Sequence, residues 1–341
     1  MRRVSSSGSS GRSVPLRAFR IHEEGGRIVA RYETLALDDL SPGNVVIRVS
    51  WSDINYKDAL AATGAGKILR KYPLVGGIDL AGVVEQSGDE RYRVGDRVLV
   101  TGCDLSETRD GGYAELARVP GDCVVPIPPG LDERSAMAIG TAGFTAALAI
   151  HRMEQNGQTP TLGPIVVTGA TGGVGSLAID MLSARGYEVI AVSGKPQAES
   201  YLRSIGASKV MSRQTIDLGS RPLERAQFGG AIDSVGGNVL TWLTRTTMYG
   251  GNIASVGLAG GANLDTTVMP FILRAINLLG INSVATPRPL RLEVWARIAS
   301  DLAPRHLDRI VTREIPFDLL MSSFLDYVKG EITGRTVVRI G

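Results

Sequence analysis

The sequence predicts an α/β protein in which a β-rich segment precedes a doubly wound parallel sheet. Three observations carry this. Residues 16–130 hold short alternating segments broken by turn residues. Six short strands fall between 164 and 284, most of them separated by helical stretches. A glycine-rich loop, VTGATGGVG (167–175), joins a β-branched strand to a helix.

In chain order, NVVIRVSW (44–51), DLAGVVEQ (79–86), GDRVLVTG (95–102) and CVVPIPPG (123–130) read as strands, punctuated by Gly-Asp, Pro-Gly and Pro-Pro pairs. Such spacing belongs to an antiparallel barrel or sandwich. Near Leu131 the texture changes. LDERSAMAIGTAGFTAALAIHRMEQ (131–155) has apolar residues at helical spacing, with Asp132 as a plausible N-cap. There follow the strand PIVVTG, a helix over Leu177–Arg185, the strand YEVIAVS and a helix from Pro196 to Gly206. Strands SKVMS (208–212), AIDSVG (231–236), NIASVG (252–257) and GINSV (280–284) complete the alternation. The last segment, GRTVVRIG, is again a strand and belongs with the first domain. The expected division is 16–136 plus 312–341 for the β-rich domain and 137–311 for the α/β domain, with 1–15 a disordered Ser/Gly-rich leader.

Composition limits the function. At about 100–200 residues per domain, 341 residues make two domains. Hydrophobic residues at 43% and charged residues at 21% exclude wholesale disorder. The 42 glycines show no Gly-X-Y period, so they mark turns and close backbone approaches. With 37 Lys and Arg against 34 Asp and Glu, net charge is +3, and no basic run argues for nucleic acid. Cys103 and Cys123 could form one bridge at most, and His22, His151 and His306 stand singly, so neither a disulfide scaffold nor a zinc site is readable. A cytoplasmic location is the expectation. The longest apolar run, Ala136 to Ile150, is too short to span a bilayer.

The glycine loop is the strongest chemical signal. Gly169, Gly172, Gly173 and Gly175 stand where side chains would block a pyrophosphate from the backbone amides and helix N-terminus. The spacing is G-x-x-G-x-x-G rather than G-x-G-x-x-G. An NAD site usually places Asp or Glu about 20 residues beyond, on the ribose 2′-hydroxyl. Here Ser193-Gly194-Lys195 occupies that place, and the first acid is Glu199. A hydroxyl and an ammonium suit a 2′-phosphate, and Arg213 could add a second cation, so NADPH is the expected cofactor. Ordinary solvated charge is the alternative for Lys195 and Arg213. In the first domain, SDINYKDALAATG (52–64) concentrates polar groups, with Asn55, Tyr56 and Asp58 as catalytic candidates; the bland reading is a turn around a buried tyrosine.

These motifs carry a resemblance. INYKD (54–58), PLVGGIDLAG (73–82), GTAGFTAA (140–147), VTGATGGVG, VSGK (192–195), SRPLE (220–224), GAIDSVGG (230–237), GLAGG (257–261), TTVMPFILR (266–274) and GRTVV (334–338) make the chain similar to the medium-chain dehydrogenase/reductase family. It most resembles the zinc-free quinone oxidoreductase branch, and within it the bacterial acrylyl-CoA reductase group. Zinc-using relatives carry Gly-His-Glu where this chain has Gly77-Ile78-Asp79. The loop GCDLSETRDGG (102–112) is less aromatic than in relatives.

The resemblance implies a GroES-like domain carrying a Rossmann domain, with Tyr56 at the nicotinamide end of the cleft. Thr171, Gly172, Gly173 and Val174 would hold the pyrophosphate; Ser193, Gly194, Lys195 and Arg213 would hold the 2′-phosphate. Leu258 and the Gly280–Ser283 strand, through Ile281 and Ser283, would flank the nicotinamide, with Arg335 nearby. The expected activity is NADPH-dependent reduction of the conjugated C=C bond of acryloyl-CoA or a similar short enoyl-CoA. Tyr56 would orient substrate or donate a proton, positioned by Asn55 and Asp58. Lys67, Arg70 and Lys71, near the cleft mouth, could meet the coenzyme A phosphates, and an ordinary solvated loop is the alternative for them. Quinone or enone reduction is the alternative, and a non-catalytic NADPH-binding protein the third reading. The branch pairs through the edge strand of its parallel sheet, which implies a homodimer.

Overall fold

The computed structural model describes residues 15–341; the expected leader therefore lies outside the described residues apart from Pro15. The chain opens with a hairpin of β1 (Leu16–Glu24) and β2 (Arg27–Leu35). Its two-residue turn, Gly25-Gly26, has φ of +57° and +76°, the left-handed pair that matches strand twist and that glycine adopts without a Cβ penalty. Next come β3 (Val45–Asp53), α1 (Tyr56–Thr63), β4 (Leu74–Val75), β5 (Asp79–Ser87), β6 (Arg97–Thr101), β7 (Leu116–Val119) and β8 (Val125–Pro126). All pairings among these strands are antiparallel. Phe19 anchors their core, its ring centroid 5.2 Å from Tyr32, 6.2 Å from Tyr113 and 5.7 Å from Phe324.

Helix α2 (Glu133–Gln155) leads into the second body, and the side chain of Asp132 caps it by accepting from the Ser135 amide at 2.7 Å. The alternation that follows is β9 (Ile165–Thr168), α3 (Gly173–Ala184), β10 (Val189–Ser193), α4 (Glu199–Ser204), β11 (Lys209–Ser212), β12 (Phe228–Asp233), α5 (Gly237–Thr246), β13 (Thr247–Ser255), α6 (Met269–Arg274), β14 (Asn277–Gly280) and α7 (Arg288–Ile298). The six strands form one sheet in the order β11-β10-β9-β12-β13-β14, and every pairing is parallel. That order reverses between β9 and β12, the switch point at which open α/β sheets bind ligands beyond the strand C-termini.

The last strand of the sheet ends at Gly280, whereas the sequence pattern places a strand over 280–284. Ala275, in the left-handed region at φ +48°, stops α6 early and lets NLLG extend beside β13. The chain then returns through α8 (Leu307–Ile310), β15 (Val311–Pro316), α9 (Leu320–Val328) and β16 (Arg335–Arg339). Strand β16 pairs antiparallel with β3, Val337 opposite Asp53, and completes a seven-stranded sheet of order β15-β16-β3-β5-β6-β8, with β7 branching from β3. No helix among the described residues is long and apolar enough to cross a membrane.

A second apolar core centres on α2, where Phe144 stacks on Trp295 at 6.1 Å. Ala81, Leu99 and Val125 of the antiparallel sheet belong to the same core, so α2 is packed by both sheets.

Candidate active site

A cavity of about 450 Å³ opens where the glycine loop meets the N-terminus of α1 and the end of α9. Its wall includes Asn55, Tyr56, Thr171, Gly172, Gly173, Val174, Lys195 and Arg335, so most of the expected site residues share one cleft. Tyr56, 49% exposed, is the first residue of α1 and stands free in the opening.

The loop conformation explains its glycines. Gly169 has φ of +59°. A Cβ at Gly175 would lie 2.5 Å from the Gly169 carbonyl oxygen, and one at Gly173 would lie 2.9 Å from Arg335 Cδ. Gly172 caps α3, and no side chain closes that twelve-residue helix's N-terminus. Its leading amides and positive dipole end therefore suit an anion. On the same cavity wall, against Gly169, the Ser234 hydroxyl is buried without a partner. An orphaned buried hydroxyl beside an uncapped helix start fits a polar, anionic group such as a dinucleotide's pyrophosphate.

The rim beyond β10 is cationic. Ser193 Oγ accepts the Lys195 amide at 3.0 Å, and Lys195 Nζ donates to the Ile332 carbonyl at 2.7 Å. Burial lowers the Lys195 pKa. The Arg213 guanidinium lies against Gly194, where a Cβ would meet Nη2 at 3.1 Å. Glu199, the first acid beyond, is paired with Arg203 at 2.8 Å.

Under the cleft lies a buried charged cluster that the sequence did not reveal. Arg335 Nη2 pairs with Asp53 Oδ2 at 2.7 Å, Nη1 donates to Asn55 Oδ1 at 3.1 Å, and Nε donates to the Ala138 carbonyl at 3.0 Å. Asn55 Nδ2 donates to Asp53 Oδ1 at 2.6 Å and to Asp79 Oδ2 at 2.9 Å. Asp79 accepts the Thr141 amide at 2.7 Å and its hydroxyl at 2.5 Å. Asp53 and Arg335 are only 1% and 2% exposed. Helix α2 makes room by breaking at Gly140, φ +51° and ψ −158°, where a Cβ would lie 2.0 Å from Asp53 Oδ2.

Asp58 does not reach the cleft. It is 2% exposed, and its carboxylate accepts the amides of Asn55 at 2.8 Å and Ile78 at 3.0 Å. Burial pushes its carboxyl up to about 7, with Asp79 adding to the push. The Asn55 side chain is fully engaged with the charged cluster, so both residues orient α1 rather than offer a free group. Leu258 is exposed and absent from the cavity wall, which has Ala259 instead. Ile281 packs on the second core, and the Ser283 carbonyl accepts from Arg291 at 3.0 Å; neither lines this cavity. Sequence reasoning missed Asp53, Asp79, Thr141, Ser234 and Tyr327. Tyr327 lies on the cavity wall with its hydroxyl buried and unpartnered. Among the described residues no group of three or more His, Cys, Asp or Glu side chains is placed to hold a metal ion.

A parallel sheet with a glycine loop, facing an antiparallel domain across a polar cleft, defines the two-domain nucleotide-fold dehydrogenase/reductase class. Residues 41–129 match the alcohol dehydrogenase GroES-like domain, and 173–300 match the zinc-binding dehydrogenase domain. The chain belongs to the medium-chain dehydrogenase/reductase family. It is 47% identical to the acrylyl-CoA reductase AcuI of Ruegeria pomeroyi, over 93% of this chain and 96% of the relative. It is 45% identical to the putative quinone oxidoreductase YhfP of Bacillus subtilis, over 96% of this chain and all of the relative. The crystal structure of that protein with NAD bound superposes with a TM-score of 0.94 and covers the same 96% and 100%. The yhdH oxidoreductase of Salmonella enterica in complex with NADP is 45% identical, with a TM-score of 0.92 over 95% of this chain and all of that one.

Two outcomes follow from the charged cluster. Arg335→Ala leaves the Asp53 carboxylate buried and unpaired, which costs about 3–5 kcal/mol of stability; urea unfolding reads this as a lowered midpoint at unchanged slope. The Asp58 carboxyl keeps its proton to about pH 7 when folded but only to about pH 4 when unfolded. Folding therefore takes up a proton in that window, and this residue's contribution to stability falls as pH rises from about 4 to about 7, then levels off. Unfolding midpoints of wild type and Asp58→Asn, compared at pH 5 and pH 8, isolate that contribution; equal pH dependence in the two proteins contradicts it.

Proposed function

We propose that the protein is an NADPH-dependent reductase of the conjugated C=C bond of acryloyl-CoA or a similar short enoyl-CoA. The observation that carries this reading is the cleft whose wall holds the uncapped N-terminus of α3, Lys195 and the free Tyr56, with Ser193 and Arg213 grouped beside Lys195 at its rim. The rim offers a hydroxyl and two cations, neither of them salt-bridged to a carboxylate among the described residues, a set that favours a 2′-phosphate. The similarity to an acrylyl-CoA reductase supports the substrate class. The similarity to a putative quinone oxidoreductase favours a second reading, reduction of quinones or simple enones at the same cleft. In this reading the cleft divides a substrate domain, 16–136 and 312–341, from a dinucleotide domain, 137–311.

The residues would act as follows. Thr171 through Val174 hold the pyrophosphate on the α3 amides, and Ser193, Gly194, Lys195 and Arg213 hold the 2′-phosphate. When bound, NADPH supplies a hydride for the β-carbon of the alkene. Tyr56 holds a transferable proton at its hydroxyl, within the cleft and half in solvent, where it can supply the α-carbon or hydrogen-bond the carbonyl oxygen on which charge develops. Asn55 and Asp58 keep Tyr56 in place by fixing the first turn of α1. A homodimer belongs to the same reading. Strand β14 is the edge of the parallel sheet, and α6 beside it exposes Met269, Ile272 and Leu273.

Steady-state turnover tests this directly: the wild type reduces acryloyl-CoA with NADPH at a kcat/KM well above that for NADH, and above that for a quinone at equal concentration. Turnover of the quinone alone selects the second reading. Lys195→Ala raises the KM for NADPH about tenfold or more while moving that for NADH little, since one charge-assisted contact is lost. Tyr56→Phe lowers kcat by about 10²-fold if its hydroxyl moves the proton; full kcat in that variant takes Tyr56 out of the proton step.

A further inference from the structure

A second hollow, about 410 Å³, opens beside α1. Lys57, the neighbour of Tyr56, forms one wall, and the segment from Lys67 to Arg70 forms the other. Lys57 Nζ is paired with Glu107 Oε1 at 2.6 Å, and the Glu107 carbonyl accepts the Arg70 amide at 2.8 Å, so the two walls are tied together. Leu69 is buried in the first core and Ile68 is half-buried against it. This apolar pair fixes the segment so that Lys67 and Arg70, flanking it, remain exposed, as does the adjacent Lys71. No salt bridge engages Lys67, Arg70 or Lys71 among the described residues. Three cations thus line the hollow with one carboxylate, which Lys57 already neutralises, and Lys71 follows next in the chain.

Two unpaired cations on the wall, with the exposed Lys71 next to them, and a partly apolar floor are the chemistry of a polyanion that also carries a flat, weakly polar group. We propose that this hollow binds the 3′-phosphoadenosine diphosphate head of a coenzyme A thioester, an inference that rests on the acyl-CoA reading of the neighbouring cleft. Lys67 and Arg70 meet the phosphates, with Lys71 next to them, and the half-buried Ile68 meets the base. The dinucleotide does not compete for it, because its own phosphates have the α3 amides and the Lys195–Arg213 rim. Tyr56 and Lys57 are consecutive on α1 but line different hollows, so the reacting end of the substrate and its anionic head lie on two sides of one helix start. A long flexible arm suits that arrangement, and the thioester is held by the head while the small acyl group contributes little binding of its own. Specificity for the carrier rather than the acyl group follows.

The test uses the full-length protein saturated with NADP, so that the dinucleotide site is closed to the probe. Calorimetric titration with adenosine 3′,5′-bisphosphate is expected to show salt-sensitive binding to the wild type, weakened about tenfold or more in Lys67→Gln/Arg70→Gln. In turnover, the wild-type preference for acryloyl-CoA over acryloyl-pantetheine, expressed in kcat/KM, is expected to collapse in that variant by a similar factor. Failure of the wild type to bind the bisphosphate, or equal binding by the variant, overturns the proposal even where acryloyl-CoA is reduced. Conversely, a wild type that ignores acryloyl-CoA but binds the bisphosphate through Lys67 and Arg70 overturns the proposed activity and leaves the nucleotide-head site standing.

Discussion

The Arg335–Asp53 ion pair organises this molecule. Removing two charges from water costs several kcal/mol per ion, and their attraction offsets that cost only where the remaining polar groups are also satisfied. The protein meets this condition with segments far apart in the chain. The guanidinium on β16 takes Asp53 from β3, Asn55 from the start of α1 and the Ala138 and Met137 carbonyls from α2. Asn55 then joins Asp53 to Asp79 on β5, and Asp79 holds the helix restart at Thr141. A hydrophobic replacement could fill the same volume, but it would not fix four segments in one relative orientation. The cluster sets geometry more than it adds stability.

That geometry reaches the cleft by contact. Gly173 sits against the aliphatic stem of Arg335, close enough that a Cβ would be 2.9 Å from Cδ, so the glycine loop is seated on the ion pair. The N-terminus of α1 hangs from the same cluster, through the Asn55 side chain and through the Asp58 carboxylate that accepts the Asn55 amide. The two walls of the cleft are therefore positioned by one buried constellation, although they belong to different sheets. The apolar core around α2 makes the connection stiff, since it draws Ala81, Leu99 and Val125 from one sheet and Ile165 and Val167 from the other. Close packing of this kind transmits displacement rather than absorbing it.

What the sequence disclosed divides along the range of the interactions. The glycine loop was legible because its requirement is local: a strand, a turn without side chains and a helix start follow one another within nine residues. The parallel sheet was legible for a similar reason, since βα alternation needs only periodicity. Ser193, Lys195 and Arg213 could be read because a dinucleotide fold fixes where the second and third strands end. The charged cluster was hidden. Asp79 in GIDLAG looks like the polar start of a strand, and Gly140 in an alanine-rich helix looks like a tolerated glycine; only the fold brings both against Asp53 and Arg335. Asp58 was legible as a residue that positions Tyr56, while its burial away from the cleft was not. Its place three residues after Asn55 is the spacing of a helix cap, in which the third residue's carboxylate returns to the cap amide, and that local signal outweighs the presence of a carboxylate near a cleft. The last sheet strand was misplaced because nothing in the sequence announced a left-handed Ala275.

Helix α1 is short, eight residues, and its first two side chains face different tasks. A helix of this length has little stability of its own, so its position depends on what holds its ends. The N-terminal end is held by the buried cluster through Asn55 and Asp58, and the C-terminal end turns at Gly64 in the left-handed conformation, packed on Ile28 of the hairpin. With both ends fixed by the antiparallel domain, Tyr56 is presented to the cleft and Lys57 to Glu107 without either side chain needing to be buried. An exposed aromatic hydroxyl on a rigid turn is costly to keep for packing reasons, since it contributes almost nothing to the core; here the surrounding structure fixes its backbone and leaves its tip in the solvent-filled opening. The arrangement accounts for the unequal treatment of neighbouring residues in INYKD: Ile54 and Asp58 are buried to fix the segment, Asn55 is committed to the charged floor, and Tyr56 alone is left free to meet whatever enters the cleft.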